Sequence, residues 1–271
     1  MPFRASFHWF AGICLLLLTS CNGYERLLKS SDINKKLAKA NEYYDKKQYQ
    51  RANQLYESLI PVMKNTRNYE PLYYKYAYSF YNMKDYLSSS YHFKNFVEFF
   101  PNSKDAEEAE FMHGLSLYKY SPNYSLDPTN TMKAIGALQA FSSTHPESKR
   151  LSEANKYIDE LRGKLEKKES EAARLYYNIG QYKAASVAYK SVLDSYPESE
   201  KVDEYQFWIM KSLYLYARES VKEKQEERFT NAINAYQLLK DEYPKSPFVA
   251  EAQKYYEQAE NNIKKLRNEH K

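Results

Sequence analysis

The chain has 271 residues, of which 43% are hydrophobic and 28% charged, and its formal net charge is +5. Charges of both signs alternate along the chain, for example in residues 164–171 and 222–228. This pattern is typical of solvated helix faces and argues against a nucleic-acid-binding surface. Tyrosine occurs 29 times and glycine only 6 times. Few glycines and few β-branched runs favour a helical fold, and the hydrophobic fraction is ample for a core.

The amino terminus has the pattern of an export signal. Residues 1–20 contain one cation, Arg4, followed by an apolar stretch. That stretch is shorter than the roughly 18 to 20 residues that a bilayer span needs. Residues 18–21, Leu-Thr-Ser-Cys, resemble the lipobox of bacterial lipoproteins, in which the cysteine thiol receives diacylglycerol before cleavage. We predict a signal peptide at 1–20 and a lipidated tether at 21–32 that begins at Cys21. The alternative is an ordinary signal followed by a chance cysteine.

Cysteine content agrees with this interpretation. Cys14 would leave with the signal, so Cys21 would be the only cysteine and no intramolecular disulfide could form. A triacylated Cys21 would be a stable anchor, because one acyl chain holds a protein only marginally to a membrane. No acidic residue directly follows Cys21, which favours the outer membrane over the inner one. We therefore expect a lipid-anchored protein of the outer membrane that faces the periplasm.

A five-residue pattern recurs five times after the predicted tether. Its members are spaced by 3, 4, 3 and 4 residues, which places them on one stripe of an α-helix. The small residue at the second position lets a neighbouring helix approach closely. The copies are Tyr49, Ala52, Tyr56, Leu59 and Met63; Tyr86, Ser89, Phe93, Phe96 and Phe100; Thr131, Ala134, Leu138, Phe141 and His145; Tyr182, Ala185, Tyr189, Val192 and Tyr196; and Phe229, Ala232, Tyr236, Leu239 and Tyr243.

Four of the five copies are followed by a proline and, two residues later, a serine. Proline cannot continue a helix and biases the residue before it away from helical angles. Serine suits a helix N-cap, and Pro247 would then occupy the first turn of the last helix. The pairs are Pro101 and Ser103, Pro146 and Ser148, Pro197 and Ser199, and Pro244 and Ser246.

A partner helix is predicted upstream of each stripe, as in Tyr73, Tyr76, Ala77 and Phe80. This helix-turn-helix unit, with its small residue and closing proline, resembles the tetratricopeptide repeat, as does Trp208 near the start of the fifth unit. We predict an all-α fold, namely a right-handed α-solenoid of about five tetratricopeptide-like helix pairs.

The spacing between copies is longer than in the ideal repeat, so the chain must contain insertions. Residues 121–128 are predicted to form a loop within the third unit. No proline occurs between Pro146 and Pro197, which permits one long helix from roughly Leu151 to Ile179. We predict repeats 1–3 over residues 33–150, and the long bridging helix with repeats 4–5 over residues 151–271.

The first helix of the second unit has more aromatic side chains than one packing face needs. In addition to its packing stripe, it has a second stripe at i, i+4 and i+7. First helices of stacked pairs line the concave side, so we predict a trough there that binds an extended or helical peptide. The alternative is that curvature buries both stripes between units. The predicted peptide-binding residues are Leu37, Asn41 and Tyr44 in unit one, Tyr74, Tyr78 and Tyr81 in unit two, and Phe111, Leu115 and Tyr118 in unit three.

The sequence contains no recognisable catalytic or metal-binding constellation. There is no Gly-x-Ser-x-Gly elbow, and the six glycines lie too far apart for a phosphate-binding loop. The pair Glu107 and Glu108 lies on a helix that we predict to be exposed. We therefore predict a protein that is not an enzyme, with no catalytic residue, metal or cofactor. The histidines are scattered without an i, i+4 pair: His8, His92, His113, His145 and His270.

The whole chain resembles the BamD-type outer-membrane assembly lipoproteins, which consist of a lipobox, a short tether and five tetratricopeptide-like repeats. The more specific similarities are residues 24–30 (Tyr-Glu-Arg-Leu-Leu-Lys-Ser), residues 127–131 (Asp-Pro-Thr-Asn-Thr) and residues 165–177 running into 182–185. This resemblance implies membership of the machinery that folds β-barrel proteins into the outer membrane. It also implies that the amino-terminal repeats bind unfolded barrel proteins and that the carboxy-terminal repeats dock on the barrel-shaped core subunit.

Two other functions stay open at this point. Repeat lipoproteins of other families bring cell-wall hydrolases together, so an adaptor for cell-wall enzymes is one alternative. A glycan-binding surface lipoprotein is the other, because faces of tyrosine side chains stack on sugars. Such glycan-binding proteins carry large inserted loops, of which this chain has few.

Overall fold

The computed structural model describes residues 23–269, which form twelve helices and no strand. The predicted signal peptide, Cys21 and two of the histidines, His8 and His270, lie outside the described residues. Helix α1 comprises residues 23–29. The other helices are α2 Ile33–Asp45, α3 Tyr49–Met63, α4 Tyr69–Asn82, α5 Tyr86–Phe99, α6 Ala106–Tyr120, α7 Thr129–Thr144, α8 Leu151–Asn178, α9 Tyr182–Ser195, α10 Val202–Arg218, α11 Lys222–Glu242 and α12 Val249–Glu269.

The helices form five consecutive pairs, and α12 follows the last pair. Contacts join α2–α3, α4–α5, α6–α7 and α10–α11. In the fourth pair, α8–α9, Ala173 of α8 shares a hydrophobic core with Tyr189 and Val192 of α9. Most connections are a few residues long, so neighbouring helices are antiparallel. The all-α fold of five tetratricopeptide-like helix pairs is therefore confirmed, as is the long helix predicted from residue 151. The handedness of the solenoid stays a prediction.

The recurring stripe forms the packing face of the second helix in each pair. Its small residue is completely buried in every copy: Ala52, Ser89, Ala134, Ala185 and Ala232 are each 0% exposed. The large residue four positions later is also buried in all five copies, and four of these five side chains are aromatic. The small side chain lets the helices approach closely, and the large one fills the space beside the contact. Local periodicity therefore predicted these two buried positions correctly in all five copies.

The described chain divides into two compact units. Unit 1 contains helices α1–α7 and the first part of α8 up to Leu161, because Ala154, Ile158 and Leu161 belong to the hydrophobic core of the first three pairs. The boundary between these compact units thus lies within α8.

Unit 2 contains the rest of the chain from Arg162, together with residues Asn123–Leu126 of the α6–α7 loop. Lys168 Nζ donates to the Leu126 carbonyl at 2.9 Å, and Lys167 Nζ lies 4.4 Å from the centre of the Tyr124 ring. These contacts fix the tip of the loop that we predicted over residues 121–128.

The serines after the prolines do not occupy the N-cap positions that we predicted. The helices begin three residues after them, at Ala106, Leu151, Val202 and Val249. Each serine Oγ instead accepts a hydrogen bond from the backbone N–H two residues later, which stabilises a turn before the helix. Pro247 therefore lies in this turn and not in the first turn of α12.

The segment that we predicted as a tether is partly helical and packed. The Tyr24 hydroxyl of α1 lies 2.9 Å from the Arg51 carbonyl and 2.8 Å from Gln54 Oε1, both on α3. Its ring makes an edge contact with Tyr43 at 5.7 Å. Burial raises the pKa of Tyr24 to about 12, so the hydroxyl stays protonated and donates. Helix α1 is therefore attached to the first repeat.

No helix within residues 23–269 has both the length and the apolar character needed to cross a bilayer.

Gly114 on α6 provides a test of the close approach between helices. A Cβ atom at Gly114 would lie 2.7 Å from Leu138 Cδ2 of α7, whereas a Cβ at Gly136 of α7 would meet nothing within 4 Å. Overpacking a core lowers the free energy of unfolding by about 1 to 3 kcal/mol. The higher helix propensity of alanine over glycine raises it by up to about 1 kcal/mol. We expect Gly114→Ala to lower the free energy of unfolding by about 1 to 2 kcal/mol, measured by urea denaturation.

Gly136→Ala is the matched control, because the substitution is the same and the space is open. It should leave the free energy of unfolding unchanged or raise it by up to about 1 kcal/mol. Equal effects of the two substitutions would show that α6 and α7 do not pack as described.

Candidate peptide-binding face

The second stripe of α4 packs partly on its partner helix and stays partly accessible. Tyr74, Tyr78 and Tyr81 are all half-buried. Since each ring keeps solvent contact while its inner edge is packed, these side chains are held in place and still available to a ligand. The ring centres are 5.1 Å apart for Tyr74 and Phe96, 4.8 Å for Tyr78 and Phe93, and 5.7 Å for Tyr81 and Tyr86.

The predicted residues of α2 are also half-buried. Asn41 Oδ1 accepts hydrogen bonds from the Tyr56 hydroxyl at 2.9 Å and from Lys75 Nζ of α4 at 3.0 Å. The same ammonium group lies 5.4 Å from the centre of the Tyr44 ring. Leu37 packs against the core beside them. Lys75 therefore links the face of the first pair to that of the second.

Two of the three residues that we predicted on α6 as peptide-binding are core residues, so the prediction was wrong for these two. Phe111 is 0% exposed and Leu115 is 7% exposed, because the ring of Phe141 on α7 packs 5.5 Å from Phe111. The third residue, Tyr118, is half-buried and stacks on Tyr157 of α8, with ring centres 4.2 Å apart. We call Tyr44, Tyr74, Tyr78, Tyr81 and Tyr118 the tyrosine face.

A polar network that the sequence did not reveal runs beside the tyrosine face. Arg150 binds Glu108 in a bidentate pair, with N–O distances of 3.0 and 2.7 Å. A third bond joins Arg150 to Glu153 at 2.8 Å. The Tyr78 hydroxyl donates to Glu108 Oε1 at 3.2 Å. Glu108, which we predicted on an exposed helix, is therefore half-buried and paired.

The network connects the first helices of unit 1 with one another. Each link uses at least one residue of the predicted second stripe. Residues of this stripe therefore contribute both to the packing between helices and to the accessible surface. The signal that could have found Arg150 and Glu153 is their position just after the second Pro-x-Ser turn, which closes the third stripe. The links are Asn41 to Lys75 between α2 and α4, Tyr78 to Glu108 between α4 and α6, and Tyr118 to Tyr157 between α6 and α8.

The hydroxyls of the tyrosine face stay protonated at neutral pH. Burial raises the pKa of Tyr44 to about 12, and it also raises the pKa values of Tyr74, Tyr78 and Tyr81. The hydrogen bond to Glu160 raises the pKa of Tyr118 to about 12. The single O–H groups of Tyr78 and Tyr118 are already donated to Glu108 and Glu160. The hydroxyls of Tyr44, Tyr74 and Tyr81 can therefore donate to a ligand, and peptide carbonyls are suitable acceptors.

Unit 2 has an accessible apolar stripe of a different kind. Leu175, Tyr176 and Ile179 near the end of α8 are 59%, 43% and 59% exposed. Their spacing places them on one side of the helix. Large apolar side chains that are exposed side by side form a candidate interaction surface. We call these three residues the α8 stripe.

The described histidines belong to the packing and not to a metal site. His92 stacks on Phe80 with ring centres 4.9 Å apart, and Tyr73 hydroxyl and His92 Nδ1 are 2.9 Å apart. Burial lowers the pKa of His92 to about 4, so it is neutral at neutral pH. Within residues 23–269 no group of three or more His, Cys, Asp or Glu side chains could hold a metal ion.

The fold and these surfaces define a helical-repeat protein whose candidate sites are interaction surfaces. Comparison with known proteins identifies the family: residues 31–216 match the outer membrane lipoprotein family YfiO. The chain belongs to this family.

Three relatives carry the BamD name. The outer membrane protein assembly factor BamD of Neisseria gonorrhoeae is 24% identical over 230 residues, which cover 81% of this chain and 82% of that protein. The BamD of Neisseria meningitidis serogroup B is 23% identical over 227 residues, covering 80% and 81%. A protein of Aquifex aeolicus, provisionally named as a BamD, is 26% identical over 213 residues, covering 78% and 70%. All three are named as assembly factors, which agrees with the prediction of a non-enzymatic protein.

Arg150 should contribute more to stability than a comparable arginine elsewhere. The side chains of Arg150 and Glu108 are 41% and 29% exposed, and Arg150 also lies 4.8 Å from the centre of the Phe111 ring. Arg150→Gln removes both the ion pair and the contact with the ring, and solvent screening keeps the contribution of the ion pair modest. We expect this substitution to lower the free energy of unfolding by roughly 1 to 2 kcal/mol. Chemical denaturation measures this difference.

Arg267→Gln is the control, because Arg267 also donates two hydrogen bonds to a glutamate, Glu226. The side chains of Arg267 and Glu226 are more exposed, at 65% and 45%. The loss in free energy of unfolding should therefore stay below about 0.5 kcal/mol. A loss at Arg150 no larger than at Arg267 would contradict a stabilising role for the network.

Proposed function

We propose that this chain is an outer-membrane lipoprotein, anchored through Cys21 and facing the periplasm, that takes part in the assembly and insertion of β-barrel proteins. In this proposal unit 1 binds unfolded barrel proteins, and unit 2 docks on the barrel core subunit. Membership of the outer membrane lipoprotein family and similarity to proteins named outer membrane protein assembly factors support the general role.

The observation that carries the substrate-binding part is the tyrosine face. Barrel strands alternate apolar and polar residues and are rich in aromatic side chains at both membrane interfaces. A row of half-buried rings offers stacking surfaces for such side chains, and the hydroxyls of Tyr44, Tyr74 and Tyr81 offer donors for the carbonyls of an extended peptide. The packed inner edges hold the rings in position, so little side-chain entropy is lost on binding.

The observation that supports docking of a partner on unit 2 is the α8 stripe. A folded core subunit presents a fixed surface, and exposed leucine, tyrosine and isoleucine side chains on one side of a helix suit such a surface. The two surfaces differ in chemistry, since the tyrosine face is made of aromatic and polar side chains and the α8 stripe is mostly aliphatic. This difference fits two partners of different kinds.

Substrate binding is tested by removing the two rings of the tyrosine face that have the fewest ring contacts. Tyr81→Ala with Tyr118→Ala should weaken binding of a synthetic peptide with the alternating aromatic pattern of a barrel strand. We expect at least about a tenfold loss of affinity, because aromatic side chains dominate such interfaces. Fluorescence anisotropy measures the affinity, and circular dichroism with thermal unfolding checks the fold.

Tyr91→Ala with Tyr120→Ala is the matched control, because these tyrosines of the same unit are 61% and 39% exposed and lie outside the tyrosine face. Their removal should leave peptide affinity unchanged. Equal weakening by both double variants, or no weakening by the first, would rule out the tyrosine face as the peptide site. Binding of oligosaccharides in place of the peptide would favour the glycan-binding alternative.

A further inference from the structure

A cleft of about 320 Å³ lies where α1 meets the start of α2. Three cationic side chains line it, Arg26 from α1 and Lys35 and Lys39 from α2. Its remaining walls include the apolar side chain of Leu27 and the ring of Tyr43. The cleft therefore combines several positive charges with an apolar wall.

Most of the positive charge in this cleft is not neutralised by the protein. Arg26 and Lys35 are exposed, and neither has an ion-pair partner among residues 23–269. Lys39 contacts Glu42 at 2.6 Å, but Glu42 also pairs with Lys46 at 2.8 Å. The cations thus outnumber the carboxylates that face them, and the site attracts an anion.

The surrounding segment has the same charge bias. Residues 23–51 contain eight lysines and arginines but only four aspartates and glutamates. Their excess of four positive charges is nearly the whole net charge of +5 of the chain. The positive charge is therefore concentrated at the amino-terminal end of the described residues.

This end also lies next to the predicted lipid anchor. Tyr24 is attached to α3 through the Arg51 carbonyl and Gln54. Cys21 precedes Tyr24 by three residues, which span at most roughly 11 Å. Acyl chains on Cys21 would therefore hold the cleft at the membrane surface, within reach of lipid headgroups.

We propose that this cleft binds the headgroup phosphate of an anionic phospholipid in the leaflet that holds the acyl chains, an inference that rests on the proposed anchoring through Cys21. Arg26 and Lys35 bind the phosphate oxygens, because guanidinium and ammonium groups form charge-assisted hydrogen bonds with them. Leu27 and the Tyr43 ring contact the apolar part of the lipid beside the headgroup. The acyl anchor and the basic cleft act as two membrane signals, which together fix the orientation of the first repeat.

Vesicle flotation tests this proposal with the mature chain, residues 21–271, carrying Cys21→Ser so that no acyl group contributes. The chain should bind vesicles of phosphatidylcholine mixed with phosphatidylglycerol and not vesicles of phosphatidylcholine alone. Arg26→Gln with Lys35→Gln should weaken binding to the anionic vesicles by about tenfold at physiological ionic strength. Lys64→Gln with Arg67→Gln is the control, since it removes the same charges from the exposed α3–α4 turn, and it should weaken binding by less than about twofold.

Equal weakening by both double variants would show diffuse charge attraction and would overturn the proposal. So would equal binding to both kinds of vesicle, or binding of inorganic phosphate, detected by phosphorus NMR, without binding to anionic vesicles. Mass spectrometry of Cys21 in the native protein decides the anchoring separately. An unacylated Cys21 would contradict the anchoring, whereas an acylated Cys21 with unchanged vesicle binding in the first variant would contradict the cleft alone.

Discussion

The close approach of helices at one small, fully buried residue per repeat is the constraint on which the rest of the structure depends. Ala52, Ser89, Ala134, Ala185 and Ala232 bring each second helix against its neighbours, and the large residue four positions later fills the adjacent space. Because this stripe satisfies the packing of the second helices, the first helices of unit 1 keep one side for other contacts. The tyrosine face lies on that side, with its inner edges packed and its outer edges accessible.

The tyrosine face and the polar network support one another physically. Glu108 is paired with Arg150 and accepts from Tyr78, so a carboxylate that would repel an acidic ligand is neutralised within the protein. Burial keeps the phenols protonated, and they act as donors without adding charge. The amino-terminal cleft has the opposite character, since Arg26 and Lys35 have no ion-pair partner within the described residues 23–269. Neutral rings suit an unfolded peptide, whereas unpaired cations suit a phosphate.

Local periodicity predicted the five pairs, the buried stripes and the long α8, because steps of 3 and 4 residues and closing prolines determine helix faces and ends locally. It failed where contacts are distant in sequence. Phe111 occupies a position equivalent to Tyr74, yet Phe141 and Arg150 cover it, and neither contact follows from spacing within α6. The turns containing Ser246 and its equivalents were misread because a serine that stabilises a turn and one that caps a helix have the same sequence pattern.

The proposed association of this chain with the barrel-assembly machinery is tested most directly by affinity purification from detergent-solubilised membranes, followed by mass spectrometry of the proteins that co-purify. A scaffold with the two surfaces described should bring down a β-barrel core subunit in amounts comparable to its own. That recovery should fall when the α8 stripe is made polar, for example by Leu175→Ser with Ile179→Ser. Recovery of murein hydrolases with no barrel protein among the co-purifying chains would contradict the role in barrel assembly.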